Sequence, residues 1–221
     1  MPKDPAKALG ECKTLMLDMD GTLLDLAYDN YMWLEHIPAE FARQNEVSEA
    51  TARERLKAKF RSMEGKLSWY CLDHWSEELD LDIAALHRDE NNRIGFLPGA
   101  RRFLETVVGH DLRLLLVTNS HQETLTIKTE VTGVTDFFHG IYTSHDLGHA
   151  KEDQSFWHAL QEAEGFDTET TLFVDDNVAV LESAKEFGVG MLLHITRPDT
   201  RWPAREDERF TAIEGVVDLL G

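Results

Sequence analysis

The chain has 221 residues, 42% hydrophobic and 29% charged, which excludes a disordered or fibrous protein and suits one core domain with a modest insertion. Its 41 acidic side chains against 22 basic ones give a net charge of −19, which sets nucleic acid and anionic membrane aside as partners and demands a local cation wherever a small anion binds. Cys12 and Cys71 are too few for a disulfide framework and lack metal-ligand spacing, a pattern that fits reduced thiols in a cytoplasmic protein.

The opening stretch, MPKDPAKALGECK, is polar, holds two prolines and has no apolar core of the signal-peptide kind. No run anywhere reaches the ~18 apolar residues of a membrane helix. Residues 14–19 (TLMLDM) read as the first buried strand. From 27 to 94 no strand pattern appears, and helical patterns cover 30–44, 48–63, 69–78 and 82–91. Ser48, Thr51 and Glu54 supply helix-start chemistry. This block concentrates Tyr31, Trp33, Trp69, Tyr70 and Trp75, and the Pro98-Gly99 turn marks the return to the core.

Beyond the turn, helices at 101–108, 122–131, 152–164 and 178–187 alternate with strands at 112–118, 140–143, 171–174 and 190–195. The strongest strands are near-continuous apolar runs, as parallel strands covered on both faces require. The alternation predicts an α/β, doubly wound, Rossmann-like parallel sheet. Residues 1–26 and 95–221 form its core domain, and 27–94 an inserted all-helical cap domain.

Ligands of open α/β sheets bind beyond the carboxyl ends of the strands. There the first strand brings Asp18, Asp20, Gly21 and Thr22, the second Thr118 and Asn119, and the fourth Asp175 and Asp176. A lone aspartate at a strand end is ordinarily a turn or cap residue. Four carboxylates at one edge repel one another unless a hard cation joins them, and Mg²⁺, with its preference for few carboxylates plus water and phosphate, suits the set. Gly21 permits a sharp turn that lets Asp20 reach back towards Asp18, with the Thr22 hydroxyl available to fix it. Thr118 and Asn119 offer a hydroxyl and an amide to phosphate oxygens. Lys151, opening a helix against the dipole preference, points to a nearby anion.

DMDGT at 18–22, TNS at 118–120, Lys151 and VDD at 174–176 resemble the four ordered motifs of the haloacid dehalogenase superfamily. One departure is Glu152, where many members carry proline. The resemblance implies Asp18 as the nucleophile forming an aspartyl-phosphate, Asp20 as general acid and base, and Lys151 as the charge that offsets repulsion. It implies Mg²⁺ held by Asp18, the Asp20 main-chain carbonyl and Asp175, with Asp176 as ligand or support. Dehalogenases of this fold lack the second aspartate, and phosphonatases use a cap lysine, whereas Lys57, Lys59 and Lys66 read as solvated. DMDGTLLDLAYDNYMW at 18–33, SWYCLDHWSE at 68–77 and KEDQSFWHA at 151–159 are similar to bacterial GMP/IMP-type purine 5′-nucleotidases. The expected partner is therefore a small phosphorylated metabolite, a purine nucleotide, met by a monomer or small homo-oligomer. A sugar-phosphate phosphatase, a phosphomutase of the β-phosphoglucomutase type and a non-catalytic binding protein on the same fold are the alternatives. The cap aromatics serve either to stack on a purine or to build the cap's own core, and Arg93 near the hinge reads as a surface arginine.

Overall fold

The computed structural model describes residues 4–206 and 208–221. Its first helix, α1 (Pro5–Glu11), was not expected from the polar sequence. Asp4 caps it by accepting the Lys7 amide, and Pro5 stands in the first turn, where a missing N–H removes no helix bond. Strand β1 (Thr14–Leu17) follows, buried at every position.

The chain then leaves the sheet for a run of helices. They are α2 (Ala27–Tyr31), α3 (Ile37–Gln44), α4 (Glu49–Met63), α5 (Leu72–Leu79) and α6 (Ile83–Asp89). The single helix expected over 30–44 is interrupted by a π-helical turn, Met32–His36. Pro38 lies just beyond it. A proline ring crowds the carbonyl four residues back and offers no N–H, and a widened turn ahead of it relieves both. Ser48 caps α4 through the Thr51 amide, as its sequence suggests.

The rest of the chain builds the sheet: α7 (Ala100–Val107), β2 (Arg113–Thr118), α8 (Gln122–Thr132), β3 (Gly140–Thr143), α9 (Ser144–Leu147), α10 (Gln154–Glu164), β4 (Thr171–Asp175), α11 (Val178–Phe187), β5 (Met191–Ile195) and β6 (Thr211–Ile213). All pairings are parallel, in the order β3-β2-β1-β4-β5-β6. The edge strand β6 is too short for its alternation to be read from sequence. Among the described residues no helix is long and apolar enough to cross a membrane.

Strand periodicity splits the core in two. Met16, Leu115, Val117 and Phe173 face α10 and α11, meeting Phe156, Trp157 and Leu181. Leu15, Leu17, Leu116 and Val174 face the opposite side, in a cluster that continues without a break into Phe60, Leu72 and Trp75 of the helical insertion. The insertion is thus packed onto the sheet's own core rather than tethered by a loop. Central strand β1 sits between β2 and β4, with Leu17 in register with Leu116 and Val174. That register fixes where the polar strand ends meet.

Candidate active site

The last residues of β1, β2 and β4 lie side by side because the strands run parallel and end together. Asp18, Thr118, Asn119, Lys151, Asp175 and Asp176 line one cavity of about 770 Å³ between the sheet and the helical insertion. Carboxylate oxygens of Asp18, Asp175 and Asp176 all lie within 4.8 Å of one another, on side chains that are almost wholly buried. Lys151 is the cation among them. Its ammonium donates to Asp18 Oδ1 at 2.6 Å, Asp175 Oδ2 at 2.7 Å and the Val117 carbonyl at 3.1 Å, using all three hydrogens. Asp18 Oδ2 receives no hydrogen bond from the described residues, so one oxygen is anchored and the other is open. Lys151 itself stands in the turn before α10, whose cap is Asp153, so it does not open the helix as expected.

Burial acts against charge here, and the partners decide the outcome. Burial raises the Asp18 carboxyl well above the carboxylate range, Lys151 pulls it down, and the neighbouring aspartates push it up again. Asp176 is pushed to about 7, first by burial and then by Asp175, with Arg205 3.5 Å away opposing. Burial would lower the Lys151 ammonium, but Asp175 and Asp18 outweigh it and hold the proton firmly. Three inward carboxylates meet one buried ammonium and the half-exposed Arg205 guanidinium, a cluster of hard oxygen donors. That donor set fits a divalent ion such as Mg²⁺.

Gly21 has a φ of +84°, and a Cβ there would stand 2.7 Å from Asp176 Cγ. The glycine therefore serves twice: it makes the turn, and it lets the β1 loop approach the β4 acid. The turn is closed by the backbone, since the Leu23 and Leu24 amides both donate to the Met19 carbonyl at 2.9 Å. Thr22 contributes nothing to it by side chain, because its buried hydroxyl has no partner among the described residues, contrary to expectation.

The Asp20 carboxylate is not one of the three mutually close acids. Its Oδ1 accepts from Lys128 at 2.6 Å, and Lys128 also donates to Asp29 Oδ1 at 2.7 Å. Lys128, on α8, is 1% exposed, which for a lysine demands paired partners. The sequence gives no sign of Lys128 and Asp29, since a lysine in one helix and an aspartate in another carry no pattern. Thr118 Oγ1 accepts the Ser120 amide at 3.0 Å and keeps its own proton to donate. Asn119 is already engaged: Oδ1 accepts the Lys151 amide at 2.9 Å and Nδ2 donates to Glu152 Oε2 at 3.0 Å. Glu152 also accepts from the Tyr70 hydroxyl at 2.6 Å, linking the insertion to the strand ends.

The insertion's wall is aromatic. Trp33, Phe60 and Trp69 line the cavity together with His87, and the Trp33 and Trp69 rings stack at 6.4 Å. Trp75 is fully buried beneath them and belongs to the insertion's core. Lys57 lines the cavity while exposed, whereas Lys59 pairs with Glu78. Arg93 lies 3.8 Å over the Tyr31 ring, outside the main cavity, as a surface arginine.

Residues 15–193 match the haloacid dehalogenase-like hydrolase family. The GMP/IMP nucleotidase YrfG of Escherichia coli (strain K12) is 38% identical over 207 residues, covering 94% of this chain and 93% of the relative. A haloacid dehalogenase phosphatase from Thermococcus onnurineus superposes with a TM-score of 0.79 at 21% identity, over 94% of this chain and 95% of its own. L-2-haloacid dehalogenase from Xanthobacter autotrophicus superposes at 0.64 with 16% identity, over 95% and 97%.

Proposed function

Since the chain belongs to the haloacid dehalogenase-like hydrolases, we propose that it is a Mg²⁺-dependent phosphatase that hydrolyses purine nucleoside 5′-monophosphates of the GMP/IMP kind. The observation that carries this reading is the Asp18 carboxylate. One oxygen is held by Lys151, the other is open to the cavity, and two further buried carboxylates stand within 4.8 Å. A group so placed can attack phosphorus in line and split one difficult hydrolysis into two steps through an aspartyl-phosphate.

Asp18, Asp175 and Asp176, with the Asp20 main-chain carbonyl, would hold Mg²⁺. When bound, the ion neutralises charge on the transferring phosphoryl group. Lys151 orients Asp18, opposes the burial that favours its protonated form, and adds a positive charge next to the incoming oxygens. Thr118 donates its hydroxyl to a phosphate oxygen, and Asn119 sets Lys151 in place through its main chain while keeping one amide hydrogen for phosphate. Asp20 protonates the leaving ribose oxygen and then takes a proton from the attacking water. Residues 27–94 act as a cap that excludes water and presents Trp33 and Trp69 to the purine face. The second aspartate favours phosphatase over dehalogenase chemistry.

The test is a panel of nucleoside monophosphates and sugar phosphates assayed with Mg²⁺, beside Asp18→Asn. GMP and IMP should be the best substrates by kcat/KM, and Asp18→Asn should lose turnover and covalent labelling together. Faster hydrolysis of sugar phosphates would overturn the nucleotidase reading. Transfer of the phosphoryl group to hexose phosphate in place of water would assign a mutase.

A further inference from the structure

A second group of ligand-bearing side chains stands beside the cavity and has no part in the chemistry above. Cys71, His121 and His145 each present one ligand atom within 4.8 Å of the other two. They come from three separate elements. Cys71 precedes α5 in the helical insertion, His121 caps α8 beyond β2, and His145 lies in α9 beyond β3. No local spacing links them, which is why a search for paired ligands along the sequence passes them by.

His145 supplies the second observation. The Ser144 hydroxyl donates its single proton to the Asn119 carbonyl at 3.1 Å. In its 3.3 Å contact with His145 Nδ1 the same hydroxyl must therefore accept, which puts the imidazole proton on Nδ1. Nε2 is left with a bare lone pair, buried and without a hydrogen-bond partner among the described residues. An orphaned acceptor of this kind costs free energy unless something fills it. Burial, followed by His121, also lowers the His145 proton affinity. The His121 and His145 rings meet edge to face, with centroids 4.8 Å apart. Asp73, exposed at the rim, lies with Oδ2 3.9 Å from His121 Nε2 and can close a fourth position.

One thiol and two imidazoles are the ligands of a borderline-soft ion, and a hard oxygen-seeking ion such as Mg²⁺ takes little from them. We propose that Cys71, His121 and His145 form a Zn²⁺ site that clips the helical insertion to the core next to the catalytic cavity. On binding, Cys71 gives its thiol proton to solvent, and the His121 proton moves from Nε2 to Nδ1, ending a long 3.4 Å contact with the Glu123 amide. Side-chain rotations bring ligand atoms within 4.8 Å of one another to the closer spacing that Zn–N bonds of about 2.0 Å and Zn–S bonds of about 2.3 Å impose.

The experiment uses the full chain without a histidine tag, in saturating Mg²⁺ so that the carboxylate cluster is filled. Co²⁺ is the spectroscopic probe, and Zn²⁺ affinity is read by competition with a chromophoric chelator. The wild type should develop a thiolate-to-cobalt charge-transfer band that saturates at one equivalent and disappears when Zn²⁺ is added. Cys71→Ser should lose the band, and both Cys71→Ser and His145→Gln should bind Zn²⁺ at least about tenfold more weakly. Circular dichroism establishes that the variants fold, and the wild-type titration decides the matter even where they do not. A wild type without the band, or Zn²⁺ affinity equal in the wild type and in both folded variants, overturns the site.

Discussion

Asp20 is held by a residue that no motif flags. The carboxylate proposed to protonate the leaving group is fixed by Lys128, which is itself fixed by Asp29 at the start of the insertion. For Lys128, burial would favour the neutral amine, yet Asp20 and Asp29 more than offset it and keep the ammonium charged. Positioning matters because a proton must be delivered along one line to one oxygen. Lys128→Met should therefore hurt substrates in proportion to their need for that proton. For an alkyl leaving group such as a nucleoside, kcat/KM should fall on the order of 10²-fold. For p-nitrophenyl phosphate, whose leaving group departs without protonation, the loss should be under about tenfold. Equal losses on both substrates would reduce Lys128 to a structural lysine. The same scale separates what the sequence discloses from what it conceals. Gly21 was legible as a turn because it follows the acidic pair, and the structure gives it the positive φ that a turn there uses, while its close approach to Asp176 was not foreseen. Lys128 and Asp29 were not, since their meaning lies in a contact across 99 positions of chain.

Elements with strong periodicity were legible from sequence, and those defined by one contact were not. Strands β1, β2 and β4 are apolar on both faces, and their ends differ from expectation by no more than a residue or two. The π turn Met32–His36, the edge strand β6 and helix α1 each depend on local detail: a proline downstream, a neighbour to pair with, a single capping aspartate. Glu152 belongs to the same class. As a sequence feature it was a departure from a common proline. In the fold it joins the insertion's Leu67–Tyr70 turn to Asn119 through two hydrogen bonds. Hydrogen bonds to a charged group contribute about 1.5–3 kcal/mol, enough to set how often that turn lifts. Glu152→Ala should raise KM several-fold and speed amide hydrogen exchange in residues 67–72, leaving β2 and β4 unchanged. Unaltered exchange in that turn would show that the insertion is held by its apolar contacts alone. Those contacts are continuous with the sheet's own core.

At the scale of the whole molecule, a chain of net charge −19 must still admit an anionic substrate. Lys57, Arg61 and Arg205 line the cavity and supply positive charge where the global field is negative. The sequence's net charge announced that need but not where it would be met. The molecule's response to acid has a more specific source in His87, a residue 1% exposed whose Nδ1 lies 2.9 Å from the Tyr28 hydroxyl. Burial first, then Lys128 and His36, push its pKa down to about 3. The unfolded chain titrates this ring near pH 6.5, so between pH 6.5 and 3 the unfolded state binds a proton that the folded state refuses. Folding stability from His87 is complete above about pH 6.5 and drains away as the pH falls towards 3. Between pH 7 and pH 5 the loss is about 2 kcal/mol. Asp29 works in the opposite sense: its carboxyl is raised to about 6, by burial and against the pull of Lys128, so its share is lost as the pH rises. Comparing the wild type with His87→Gln cancels that contribution and every other shared one. Denaturant melts at pH 7 and pH 5 should show the wild type losing about 2 kcal/mol more than His87→Gln over that interval, whatever the variant's stability at pH 7. Identical losses would mean that the ring takes up its proton inside the fold, and that the cavity beside it is wet enough to solvate an imidazolium.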